Sequence, residues 1–100
     1  MRRRAVVFAP EAEADLVQIY EWIAERAGTR TALGYVGRIE DYCSRFDLAS
    51  ERGTARDDIR PGLRIIGFER RLTIAIIVEP DRVTILRIFY GGADWERDLS

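Results

Sequence analysis

The chain has no histidine and no lysine: all 16 of its basic residues are arginine. Cysteine occurs once, as Cys43. Each absence removes a class of chemistry. Without histidine a zinc centre loses its commonest nitrogen ligand, and a histidine-dependent triad has no base. Without lysine there is neither a Walker phosphate loop nor a Schiff base. A single cysteine closes no internal disulfide. The expectation is a protein with no metal and no cofactor. Long apolar runs are also missing. The longest spans residues 72–78 and is interrupted by Thr73, far short of the roughly 20 residues of a membrane helix. Met1-Arg2-Arg3-Arg4 is followed by an apolar segment that stops at Pro10, shorter than the roughly 7–15 residues of a secretory signal. These features predict a cytoplasmic protein that does not contact a membrane.

What is present bounds the rest. One hundred residues, 47% of them hydrophobic, make one domain with a packed interior. The formal net charge is −1, so the chain is not a basic coat for nucleic acid, and direct sequence-specific nucleic-acid binding is not expected. Every cation is a planar guanidinium that stays charged and grips carboxylate or phosphate with two donors.

Residues 4–9 form a strand candidate. Pro10 then opens a helix, with Glu11 and Glu13 in its first turn where the helix dipole favours negative charge. Leu16, Ile19, Tyr20, Ile23 and Ala27 recur at helical spacing, and Gly28 marks the stop. Thr29 or Thr31 is positioned to cap a second helix. Its stripe is Ala32, Tyr35, Val36, Ile39, Tyr42, Cys43 and Phe46, which reads as core. A join of about three residues makes the pair an antiparallel hairpin. Residues 50–62 read as a polar loop. Residues 63–68, 72–78 and 83–90 are rich in Ile and Val and fit an antiparallel meander. The order β-α-α-β-β-β predicts an α+β domain, a helical hairpin on one face of a small, mainly antiparallel four-stranded sheet.

Alternation of side chains along the last strand sets Val83, Ile85, Arg87 and Phe89 on one face. The hairpin shields only one side of the sheet. The other side is therefore expected to carry Ile85 and Phe89 beside a permanent charge, a combination that marks an interaction site. The alternative is that residues 50–62 and the C-terminal tail fold over that side. Arg87 then pairs internally with Asp94 or Glu96, and Trp95 lies as a lid.

Three segments resemble a known family. "FAPEAEADLVQIYEWIAE" is similar to the opening helix of the ParE/RelE toxin superfamily. "RDDIRPGLR" resembles the loop and second strand of ParE toxins. "VTILRIFYGGADWE" resembles their closing signature, with Tyr90 where histidine is common and Ala93 where arginine is common. The resemblance covers nearly the whole chain in order. It implies the toxin of a type II toxin–antitoxin pair, inhibiting DNA gyrase and neutralised by a ParD-like antitoxin with which it forms a hetero-oligomer. The antitoxin would contact Trp22, Arg60, Arg64, Ile85, Arg87 and Phe89. The RelE-type alternative is a ribosome-dependent mRNA endonuclease using Arg64, Arg71, Arg87 and Tyr90, with Glu69 or Glu79 as base. A third reading is a non-toxic interaction domain.

Overall fold

A computed structural model describes residues 3–91 and 94–99. The elements are β1 (Ala5–Phe8), α1 (Pro10–Ala27), α2 (Thr29–Ser44), a 3₁₀ turn (Arg45–Asp47), β2 (Thr54–Ala55), β3 (Leu63–Phe68), β4 (Leu72–Val78), β5 (Arg82–Tyr90) and α3 (Trp95–Leu99). The sheet has five strands in the order β1-β5-β4-β3-β2. β1 runs parallel to β5, and the other neighbours are antiparallel. The α+β class and the helical hairpin are as the sequence predicts. The extra strand is the two-residue β2, which lies inside the segment read as a loop. It has no apolar alternation to reveal it. What holds it is Gly53, at φ 70, whose missing Cβ leaves room for the Ile65 carbonyl.

The helices are joined more tightly than expected. Gly28 alone, at φ 91, ends α1 and starts α2. Thr29 is already helical, and no side chain caps α2. Glycine is required because the single linking residue lies at positive φ.

The main core lies between the hairpin and the sheet. Leu16, Ile19, Ile23, Ile39, Cys43 and Phe46 meet Ile66, Leu72, Ile74, Ile76, Val83, Ile85 and Ile88. The second face is not bare. Leu63, Ala75, Phe89 and Leu99 form a smaller buried cluster, flanked by Ile59, Ile65, Ile77, Leu86 and Trp95. The loop and tail thus cover the side expected to be open. A β-bulge explains the difference at β5. Arg87 lies opposite Ala75 while Ile85 lies opposite Ile76, so Leu86 is an extra residue. Before it Val83 and Ile85 face the helices; after it Ile88 does. Ile85 is therefore 0% exposed in the helix-side core and not on the second face. Phe89 does reach the second face but is 4% exposed, beneath the tail.

Candidate functional site

β1 ends beside Ile85, where Ala9 N–H donates to the Ile85 carbonyl at 2.9 Å. Beyond that point β5 has no strand on this side among the described residues. Gly91 N–H donates to Arg71 O on the β4 side, so residue alternation turns the main-chain groups of Ile88 and Tyr90 outward. α1 crosses this free edge and supplies Asp15. One oxygen of Asp15 accepts Ile88 N–H at 2.8 Å and Arg87 Nε at 2.8 Å; the other accepts Arg87 Nη2 at 3.1 Å. The carboxylate thus takes the place of the missing strand. Donating to the Asp15 carboxylate raises the guanidinium of Arg87 above its ordinary value, and the Arg87 guanidinium also lies 4.7 Å from the Phe89 ring centre. The charge inside the strand is answered internally, as the alternative reading expects, but from Asp15 on α1 in place of Asp94 or Glu96. The signal was present: Asp15 interrupts an apolar helix stripe as Arg87 interrupts an apolar strand.

A groove of about 280 Å³ runs along this edge past Asp15, Trp22, Arg87 and Tyr90. It adjoins a basin of about 400 Å³ that shares Trp22 and Tyr90 with it and adds Arg26, Tyr35, Arg38 and Arg71. Trp22 is 42% exposed. The Arg26 guanidinium lies 4.0 Å from its ring centre, and the Tyr90 ring is 5.1 Å away and tilted. A third hollow, about 400 Å³, opens on the hairpin between Phe8, Leu16, Val17, Tyr20 and Val36, with Glu13 and Glu40 at its rim.

Of the residues proposed for RNA cleavage, Tyr90 lines the groove with Arg87 and the basin with Arg71, while Arg64 stands apart. Arg64, on β3, stands opposite Ile76 and so faces the helix side; its guanidinium is held by the carbonyls of Arg52 and Gly53. Arg71 lies at the β3–β4 turn, and Arg87 is locked to Asp15 at the other edge of the meander. Tyr90 packs against the helix-side core. Glu69 is bound by Arg38 at 3.0 and 3.1 Å, which holds its carboxyl below the usual range. A single face bearing Arg64, Arg71 and Arg87 is thus not formed, because the strand register sends them to different sides. Arg60 is exposed in the turn before β3. Cys43 is fully buried, and burial pushes its thiol up to about 12, so it is no nucleophile. Among the described residues no helix is long and apolar enough to cross a membrane, and no acidic or cysteine cluster could hold a metal ion. Ala93 and Gly92, in the closing signature, lie outside the described residues.

Residues 6–95 match the family described as the ParE toxin of the type II toxin–antitoxin system parDE. The chain belongs to the ParE toxin family. Its fold is similar to a chain of the chromosomal ParDE toxin–antitoxin system from P. aeruginosa, with a TM-score of 0.77 and 26% identity. That likeness covers 89% of this chain and 97% of the other. No curated protein matches it in sequence. The chain carries a groove at the β5 edge, an arginine-rich basin beside it and a hollow on the hairpin.

Proposed function

We propose that this ParE toxin acts in the cytoplasm by binding protein. DNA gyrase is its target, and a ParD-like antitoxin neutralises it. One observation carries the antitoxin half of the reading. With both faces of the sheet covered, apolar surface is still left bare on the hairpin. Val17 is 57% exposed and Leu33 63%, and Val17 borders the hollow lined by Phe8, Leu16, Tyr20 and Val36. An amphipathic antitoxin segment with basic flanks fits it, since Glu13 and Glu40 stand at its rim. Trp22, at the β5 edge, and Arg60 and Arg64, near the loop, are secondary contacts, whereas Arg87 is engaged by Asp15. The gyrase half is supported by family membership and by the engagement of the cleavage candidates elsewhere: Arg64 is held at the loop, Arg87 by Asp15, and Glu69, a proposed base, by Arg38.

The test is induction of the chain in a bacterium, alone and with its neighbouring antitoxin gene, beside a supercoiling assay with purified protein. Filamentous arrest relieved by the antitoxin, with loss of supercoiling activity, is expected. Immediate arrest of translation with supercoiling intact would overturn the gyrase assignment. For the antitoxin groove, Val17→Glu should abolish complex formation at an unchanged melting temperature.

A further inference from the structure

The basin at the end of β5 holds a buried donor with nothing to bind. Tyr35 is 8% exposed, and its hydroxyl has no hydrogen-bond partner among the described residues. Burial raises its phenol above the ordinary value, so at neutral pH it is a donor. Leaving such a group unpaired is unfavourable. Arg71, exposed beside it, makes no side-chain hydrogen bond or ion pair among the described residues. Arg26 and Arg38 add two more positive charges to the same basin. The turn that presents Arg71 is itself unusual. Glu69 and Arg70 both lie at positive φ, 49 and 62, a conformation that non-glycine residues avoid.

The chemistry of the occupant can be read from what the basin already accepts. Arg38 lies 5.0 Å from the Tyr35 ring centre and takes the Glu69 carboxylate with two donors. A carboxylate on a neighbouring guanidinium is thus the arrangement the surface forms with its own residues. Base stacking is disfavoured, because the Trp22 ring is already covered by Arg26 and flanked by Tyr90. We propose that the basin binds an acidic side chain on a peptide segment of a partner protein, seated between Arg71 and Tyr35 with Trp22 and Tyr90 as its apolar wall. A small swing of the flexible Arg71 side chain lets the carboxylate accept from the Tyr35 hydroxyl. This assignment rests on the reading of the chain as a toxin that works by protein binding.

The experiment is an NMR titration of the full chain with a blocked Leu-Glu-Glu-Leu peptide, its Leu-Gln-Gln-Leu counterpart, and inorganic phosphate. The probes are the Trp22 indole N–H and the arginine Nε–H signals. Saturable shifts with the acidic peptide alone are expected. Arg71→Gln should weaken binding at least about fivefold, and Tyr35→Phe about threefold, a charge-assisted hydrogen bond being the stronger kind. Glu69→Gln should tighten it by freeing Arg38. Equal response to both peptides, no response, or saturation by phosphate without the acidic peptide would overturn the proposal. The chain alone suffices, so the outcomes separate. Peptide binding without gyrase inhibition removes the toxin mechanism and keeps the basin; inhibition by a chain that ignores the peptide does the reverse.

Discussion

Two ends of one trough, sharing Trp22 and Tyr90, treat buried polarity in opposite ways. At the Asp15 end the two opposite charges are met: the carboxylate accepts two guanidinium donors and a main-chain N–H. At the Tyr35 end a buried hydroxyl is unmet and an arginine stands ready beside it. A fully paired charge at a sheet edge completes the fold, whereas a donor and a cation with no side-chain partner among the described residues suit an acceptor from another molecule. Asp15 and Arg87 are therefore assigned to architecture and Tyr35 and Arg71 to recognition, although all four border the same surface.

The largest effect that tests this division is at Asp15. Asp15→Ala strands Arg87 and Ile88 N–H together. Removing one partner of a buried pair costs roughly 3–5 kcal/mol. Because the Arg87 side chain is 30% exposed, about 3 kcal/mol is expected, a fall in Tm of about 12–24 °C. A double variant, Asp15→Leu with Arg87→Met, should recover part of this and leave mainly the orphaned N–H. Thermal melts of the three chains measure both. If Asp15→Ala melts like the parent, the edge is not held as described.

Tyr35→Phe should do the opposite. It deletes a hydroxyl that has no partner, so stability should hold or rise by about 1 kcal/mol. Chemical denaturation with unchanged slope is the measure. A loss above about 1 kcal/mol would mean that the hydroxyl is bonded in solution, and the contrast between the two ends would fail.

Much of the architecture could be read from residue periodicity. The stripes from Leu16 to Ile23 and from Ala32 to Phe46, with the Ile-rich runs, place both long helices and three strands, because burial enforces those periods. The misreadings share a cause. Alternation carries across a strand only while the register is unbroken, and nothing in Ile85-Leu86-Arg87 announces a bulge, so alternation alone puts Ile85 on the wrong face. β2 is two residues long and lacks a pattern of its own. The cover over the second face comes from Ile59, Trp95 and Leu99, scattered apolar residues in segments with no period. The site was less legible still. Arg87 was conspicuous, but its partner lies 72 positions away, and only the fold brings α1 across that edge. Tyr35 was read as core, which its burial supports; an unmet hydroxyl is a fact about neighbours and leaves no mark in sequence.

The smallest effect probes the border between the two ends. Glu69 binds Arg38 with ideal fork geometry, yet its side chain is 40% exposed and that of Arg38 55%. Solvent screens such a pair, so Glu69→Gln should cost only a few tenths of a kcal/mol, up to about 0.5. The pH dependence fixes the sign. Arg38 lowers the folded-state Glu69 carboxyl below its ordinary value, so the folded form prefers the ionised group. That contribution is whole above the ordinary carboxylate value of about 4.3 and fades as pH falls through the lower folded value. The parent and Glu69→Gln should therefore differ slightly at neutral pH and converge in acid. If peptide binding rises in the same variant while stability scarcely moves, Glu69 is acting as an internal occupant of the basin. Its weak hold is then an advantage, because a partner's carboxylate can displace it at little cost.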